Sequence, residues 1–503
     1  MMKRLLCLSM VLILLCTVFT GFAEAMDPTE AIIAEFEKMT QIPRPSGYTD
    51  GISEYLAAWA SERGFAVVRD ETNNVIFDVP ATTGMEDKPV VGLQVHMDMV
   101  FAQADGNTLD PYTTPITMIN DGKLLTAKDT SLGADDGIGV AIALCIADGK
   151  MAHGPLRVFV TSDEETTFEG AQKLDAALLK DVPYLINLDS EDEGHVTVSS
   201  AAGIDCEYTA EALSIATTYD AALEVIVNNL SGGHSGLDIG KNRLNAIIGL
   251  GKALNQLEEK GIPFGIASMK GGFADNAIPT SARATICVTE NEKELAIDLL
   301  TGSLTEQLEA HRESDPNGKF TIEPVDLPTE VMIPEQQRGL LGLVCNIKDG
   351  CLTMSSDVEG LIQTSSNLGI LDASVNGIEA VSFFRSSDNT EMNELLDDCR
   401  NVAEQHGLNF EYTSTAEPWK FNPNSKLLAF TMDAYTALFG TEISVDATHA
   451  GLECGCFVNK NPDIDIVSIG PTVHSPHTIN ESCEIESFDK IWMLVEEIFR
   501  RIE

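Results

Sequence analysis

Apolar residues recur at helical spacing over residues 28–39, break at a proline-rich turn from Pro43 to Ser46, and resume at helical spacing over 52–63. Beyond that point the pattern changes. Short continuous apolar runs occupy 90–95, 156–161, 184–188 and 464–469, with helical stretches such as 137–148 and 174–179 between them. Unbroken apolar runs of strand length suit strands buried on both faces. Their alternation with helices predicts an α/β fold built on a largely parallel sheet. Residues 204–414 read differently, with strand-like stretches at 222–227 and 282–288 and helices over 243–258, 291–309 and 391–405. Asn291 is the expected N-cap of the second of these helices. This middle part is expected to be a second α/β domain inserted into the first. The first domain then comprises 26–203 and 415–503, because the run at 464–469 and a last helix over 488–500 resume the earlier style.

The first 25 residues carry another pattern. Lys3 and Arg4 precede an almost unbroken apolar run over 5–22, and Ala23-Glu24-Ala25 supplies a small-x-small cleavage site. This is the layout of a signal peptide cleaved after Ala25, which directs export to a periplasm or the medium. A membrane anchor is the competing reading, since the run is near the lower length limit for a span. No later segment is long and apolar enough to cross a membrane.

Composition adds one strong constraint. With 78 acidic and 32 basic residues the formal charge is −46. Such a surface repels nucleic acid and anionic lipid, which excludes both as partners, and it attracts cations. Removal of the signal peptide leaves nine of the 11 cysteines, an odd number scattered too widely for a disulfide framework. Cys454 and Cys456 are separated by one residue, not by the two or more usual at zinc sites. The cysteines are therefore read mostly as buried thiols. His153, His195, His311 and His406 stand in polar surroundings and are read as surface residues.

The chemistry lies at the ends of the apolar runs. One run ends in His96-Met97-Asp98, another in Asp163-Glu164-Glu165, and a third in Asp189, with Glu191, Asp192 and Glu193 close behind. Asp135-Asp136 follows Gly133-Ala134 at the start of a helical stretch, and the last run leads through Gly470-Pro471 to His474 and His477. In α/β sheets the crevice beyond the carboxyl ends of the strands is where ligands bind. A single charged residue after a strand is an ordinary solvated turn, but these clusters converge on one crevice. Histidines with carboxylates suit zinc or another borderline divalent metal better than magnesium or calcium. A shared carboxylate would let two cations sit about 3.5–4 Å apart, as in two-metal hydrolases. The implied reaction is metal-assisted hydrolysis of an amide.

His96-Met97-Asp98, Leu132-Gly133-Ala134-Asp135-Asp136-Gly137, Asp163-Glu164-Glu165, Asn187-Leu188-Asp189-Ser190-Glu191 and Gly470-Pro471 with His477 resemble the co-catalytic zinc peptidases. That family includes carboxypeptidase G, the tripeptidase and the aminoacyl-histidine dipeptidases, and the chain is most similar to the last, broad-specificity branch. The resemblance covers nearly all of the chain after the signal peptide. It implies a phosphorylase/hydrolase-like catalytic domain with an inserted lid domain, two zinc ions, and hydrolysis of dipeptides. His96 and Asp189 would hold one ion, Glu165 and His477 the other, with Asp135 bridging. Asp98 would orient the His96 ring, and Glu164 would act as general base. Ser231-Gly232-Gly233-His234-Ser235-Gly236 resembles the lid motif whose histidine stabilises the oxyanion. The stretch 271–279, with Asn276, and Arg385 resemble lid segments that bind the substrate carboxylate. Such lids can also pair two chains, so a homodimer through the lid is a further expectation.

Several alternatives stay open on sequence alone. Glu164 and Glu165 could exchange roles, and His474-Ser475-Pro476 mimics the family motif that the count from Gly470 places at His477. His234 could be incidental to a glycine-rich turn, and Arg385 a surface ion-pair residue. His449-Ala450-Gly451-Leu452-Glu453-Cys454-Gly455 matches the dipeptidase branch, and its default reading is a structural turn lining the pocket. At the level of function, the rivals are an N-acyl-amino-acid amidohydrolase of the same superfamily and a metal- or peptide-binding protein without catalysis.

Overall fold

The computed structural model of the protein describes residues 27–502 except 357 and 359. The signal peptide expected over 1–25 lies outside them. Among the described residues no helix is long and apolar enough to cross a membrane.

One sheet has eight strands in the order Ala66–Arg69, Val75–Val79, Leu156–Thr161, Val91–His96, Tyr184–Asn187, Asp465–Ser468, His195–Thr197 and Ser444–Asp446. Its centre is parallel, from Leu156–Thr161 across to Asp465–Ser468. Val91–His96 is buried along its whole length, as a strand covered on both faces must be. Helices Pro28–Thr40, Ala134–Cys145 and Ile485–Arg501 cover one face, with Ile32, Phe36, Ile138, Ile142, Phe488 and Val495 in the core. The other face is covered by Phe457, Trp419 and Leu179 against Phe159 and Leu185. The expectation of a largely parallel sheet needs correction on both sides of its centre. Asp465–Ser468 meets His195–Thr197 antiparallel. Ala66–Arg69 and Val75–Val79 form an antiparallel edge, because the short turn between them cannot make the crossover that parallel strands require.

The helix boundaries follow local chemistry. Asp27 caps the first helix by accepting from the Thr29 amide at 2.9 Å, with Pro28 in its first turn. The last helix buries Phe488, Ile491, Trp492, Val495, Ile498 and Phe499 along one stripe, the i, i+3, i+4, i+7 spacing of a surface helix. Two readings fail. The helix expected from Asn291 starts at Lys293 with Glu292 at its N-cap, and the Thr289 hydroxyl binds the Glu292 carboxylate at 2.8 Å. The helix expected from residue 243 starts at Ala246, where Asn245 accepts from the amides of Ile247 and Ile248.

A second sheet draws its strands from Ala202 to Ala416, in the order Lys319–Pro324, Ala221–Asn228, Ala282–Val288, Phe264–Gly272, Ile362–Ser374, Gly377–Ser386, Ala202–Glu211 and Asn409–Ala416. Gly350–Met354 adds to Ile362–Ser374, and every pairing in this sheet is antiparallel. Helices Ala246–Glu259, Lys293–Ala310, Pro334–Asn346 and Asn389–Gln405 contribute Leu254, Leu300, Leu340 and Leu395 to its own separate core.

Of the nine cysteines among the described residues seven are buried, Cys345 is half-buried and Cys351 is exposed, and none of them forms a disulfide there. His153 departs from its reading as a surface residue. It is buried, its Nδ1 lies 2.6 Å from the Gly154 carbonyl, and its ring packs edge-on to Phe499 at 6.4 Å.

Candidate metal centre

Five of the sequence candidates meet at the carboxyl ends of the parallel strands. His96 closes the strand Val91–His96 and is wholly buried. Its Nε2 lies 3.0 Å from Asp135 Oδ1 and 3.4 Å from Asp189 Oδ1. His477 Nε2 lies 3.0 Å from the other oxygen of Asp135 and 2.7 Å from Glu165 Oε2. Asp135 thus offers one oxygen to each histidine. Donor atoms of His96, Asp135 and Glu165 all fall within 4.8 Å of one another. Of the competing choices, it is Glu165 rather than Glu164 that meets His477. His474 is exposed and pairs with Glu484 at 2.8 Å.

Local backbone sets these positions. Gly133 adopts φ +69° just before Asp135, a conformation that glycine tolerates without cost. Asp135 itself is non-helical at φ −79°, ψ 114°, and the Asp135–Asp136 peptide is cis. Asp136 turns inward, where it accepts from the His96 amide at 3.3 Å and the Gly139 amide at 3.1 Å. Gly470 is required as well, since a Cβ there would lie 1.7 Å from the Ser190 carbonyl.

Asp98 stands behind His96, with Oδ1 at 3.5 Å from Nδ1. It also accepts from the amides of Glu164 at 3.1 Å and Glu165 at 3.3 Å, and from Ser46 Oγ at 2.8 Å. One carboxylate therefore holds both the imidazole and the turn that bears the two glutamates. Glu164 is half-buried beside them.

Set among protein groups alone, this cluster has too much negative charge. Burial pushes Asp189 up to about 7, and burial with Asp189 and Glu165 pushes Glu164 far above the usual carboxylate range. Asp135 and Glu165 hold His477 protonated up to about 10. Burial opposes a charge on His96, but Asp189, Asp135 and Asp98 outweigh it and raise its pKa well above normal. Glu165 Oε1 is buried with no hydrogen-bond partner among the described residues. One imidazole proton cannot serve two carboxylate oxygens, whereas cations can. The donor set fits two divalent ions, with His96 and Asp189 on one side of Asp135 and Glu165 and His477 on the other.

The lid candidates gather in a second group. His234 pairs with Ala277 in a short antiparallel bridge, and the Ser235 amide donates to the Asn276 carbonyl at 2.8 Å. Arg385 is buried rather than a surface ion-pair residue. It lies over the Phe383 ring and donates at 3.5 Å to Ser235 Oγ and to the His449 carbonyl. His234 is half-buried, and burial together with Arg385 lowers its pKa. The side chain of Asn276 is exposed.

The segment from His449 to Glu453 joins the two groups, and sequence reasoning underrated it. The His449 ring meets Ser365 Oγ at 2.7 Å. Glu453 is fully buried behind His96, where it accepts from Gln94 Nε2 at 2.6 Å and Thr161 Oγ1 at 2.5 Å. The four-residue backbone step from His449 to Glu453 spans at most about 14 Å, so one short segment touches both Arg385 of the lid group and the sheet that carries His96. Gln94, Arg44 and Glu481 were also missed as site residues. All three are buried polar side chains; Gln94 lies inside the run 90–95 read as a buried strand, but no local pattern marks Arg44 or Glu481 as buried.

Fold and site together define a metal-dependent peptide hydrolase. Residues 92–501 match the model of peptidase family M20/M25/M40, and the chain belongs to that family. It is 32% identical over 479 residues to the cytosol non-specific dipeptidase of Escherichia coli (strain K12), covering 93% of this chain and 96% of that one. The aminoacylhistidine dipeptidase of Vibrio alginolyticus superposes with a TM-score of 0.87 at 32% identity, over 94% of this chain and 96% of the other. An aminopeptidase of Bacillus cereus shares the fold at a TM-score of 0.54 and 16% identity, over 94% of this chain and 98% of that one. The resemblance read from the motifs is borne out at the level of family and branch.

Proposed function

We propose that this protein hydrolyses unblocked dipeptides at a pair of divalent cations, zinc by the chemistry of its ligands. The observation that carries this reading is Asp135, which presents one oxygen to His96 and the other to His477. Histidine nitrogen mixed with carboxylate oxygen is a donor set that suits zinc. The cations, when bound, would activate a water and polarise the scissile carbonyl. Glu164, beside the ligands but not one of the pair that meets His477, takes a proton from that water on its carboxylate and returns it to the leaving amine nitrogen. Asp98 keeps the His96 ring in register through these steps. His234 donates to the developing oxyanion, and Arg385 with Asn276 engages the carboxyl terminus of the peptide. The antiparallel unit that bears these residues, expected over 204–414, acts as a lid on the catalytic unit. The two dipeptidase relatives, each matched over nearly their full length, support the dipeptide as substrate.

We also propose that residues 1–25 direct export, although the Escherichia coli relative is named for the cytosol. Mass measurement of the cell-free fraction for a chain beginning at Met26 tests this. The activity itself is tested by assaying an unblocked dipeptide beside an N-acetyl amino acid. Hydrolysis of the dipeptide alone, lost on chelation and restored by zinc, is expected. Preference for the N-acetyl substrate would replace this reading with an amidohydrolase.

A further inference from the structure

Two buried charges next to the metal centre take no part in the steps above. Arg44 is buried; its guanidinium donates to backbone carbonyls rather than to a carboxylate, with Glu481 the leading negative charge acting on it. Its Nη1 donates to the carbonyls of Met97 at 2.8 Å and Asp98 at 3.0 Å, and its Nη2 donates to the carbonyl of Gly133. Those carbonyls belong to the segments that present His96 and Asp135. Glu481 is buried as well. One of its oxygens accepts from the amides of Leu132 at 2.8 Å and Gly133 at 3.0 Å, and the other from Ala134 at 2.7 Å. Glu481 lies four residues after His477. The stretch 132–134, which leads into Asp135, is therefore gripped on its carbonyl side by Arg44 and on its amide side by Glu481. One grip reaches back to His96 and the other forward to His477.

The glycines of this region fit the same picture. A Cβ on Gly133 would lie 2.7 Å from Arg44 Nη2, and one on Gly137 would lie 2.5 Å from it and 2.7 Å from Phe36 Cε2. Both positions leave the channel that the guanidinium fills. A lysine could not replace it, because one ammonium cannot reach carbonyls on two separate segments as a planar fork does. Burying an arginine and a glutamate is costly. A fold needing only to connect two loops has cheaper apolar means.

We infer that Arg44 and Glu481 are positioning residues for the cation pair: they hold His96 and His477 at a fixed separation about Asp135. This deepens the two-cation reading and rests on it. Removing groups that orient metal ligands costs about 10–100-fold in metal affinity. Arg44→Lys and Glu481→Gln are therefore expected to weaken zinc binding by at least tenfold, and to lower kcat at saturating zinc more than they change KM.

The test is calorimetric titration of the metal-free full chain with zinc, for wild type, Arg44→Lys, Glu481→Gln and Glu481→Asp, with thermal unfolding on the same samples. Glu481→Asp keeps the charge but draws it back by one methylene, so it serves if the other variants do not fold. Weaker zinc binding in the variants, with metal-free unfolding temperatures near that of wild type, supports the inference. Wild-type zinc affinity and kcat in every folded variant, with lowered unfolding temperatures alone, would overturn it and leave a purely structural role. A wild-type chain that binds fewer than two zinc ions would instead sink the two-cation reading, which the variants do not address.

Discussion

Glu453 gives the clearest handle on the energetics behind the site. Its carboxyl is fully buried, accepts from Gln94 and Thr161 through one oxygen, and leaves the other without a partner among the described residues. Burial pushes its pKa up to about 8, against about 4.3 for an exposed glutamate. A carboxyl raised in this way binds its proton more tightly in the native than in the unfolded chain. Its contribution to stability is fully present below about pH 4.3, falls as pH rises, and is gone above pH 8. The loss is about 1.4 kcal/mol per pH unit, on the order of 4 kcal/mol between pH 5 and pH 8. Glu453→Gln keeps the acceptor but cannot ionise. At pH 5 both chains carry an unpaired donor at this place, so they start near parity, and the variant becomes the more stable as pH rises. The assay is urea unfolding of the metal-free chain at several pH values, followed by the fluorescence of its three buried tryptophans, of which Trp419 lies in the same layer. Taking the difference between the two proteins cancels the titrating groups that do not interact with Glu453. A difference that stays constant from pH 5 to pH 9 would refute the reasoning, since it would mean that Glu453 is already ionised at the lower limit. Bound cations should make the rise smaller and end it at a lower pH.

Further outcomes follow from the same geometry. Glu164→Gln is expected to lower kcat by about 10²–10⁴-fold while the metal content measured by mass spectrometry stays at the wild-type value. Because Asp135 and Glu165 hold His477 protonated up to about 10 in the metal-free chain, zinc must displace that proton. Zinc affinity should therefore fall about tenfold for each pH unit lowered per proton released, and titrations between pH 6 and pH 8 would show it. Gly470→Ala is expected to yield no soluble native protein, since its Cβ would overlap the Ser190 carbonyl; a normal yield with native circular dichroism would contradict this.

The ligands were legible because each lies at, or no more than nine residues beyond, the end of an apolar run, or at the start of a helix, and an unbroken apolar run announces such a boundary. His96 after residues 90–95 and Asp189 after 184–188 are both of this kind. The residues behind the ligands were not legible. Glu453 meets Gln94 across 359 positions and Glu481 meets Leu132 across 349, and no local pattern encodes contacts at that range. His153 failed for the same reason, because Phe499 buries it from the far end of the chain. The strand stretches of the second sheet were readable at 222–227 and 282–288, but their antiparallel pairing was not. A strand's own residues carry its two-residue alternation, while its direction depends on the connection to its neighbour. Arg385 could not be placed from sequence because burial of an arginine is rare and here depends on the ring of Phe383 and the carbonyl of His449.

The measurement closest to the central claim is anomalous diffraction from crystals of the zinc-loaded protein. Two peaks about 3.5–4 Å apart are expected, one against His96 and Asp189 and the other against Glu165 and His477, with Asp135 touching both. A single peak, or peaks that do not share Asp135, would contradict the account.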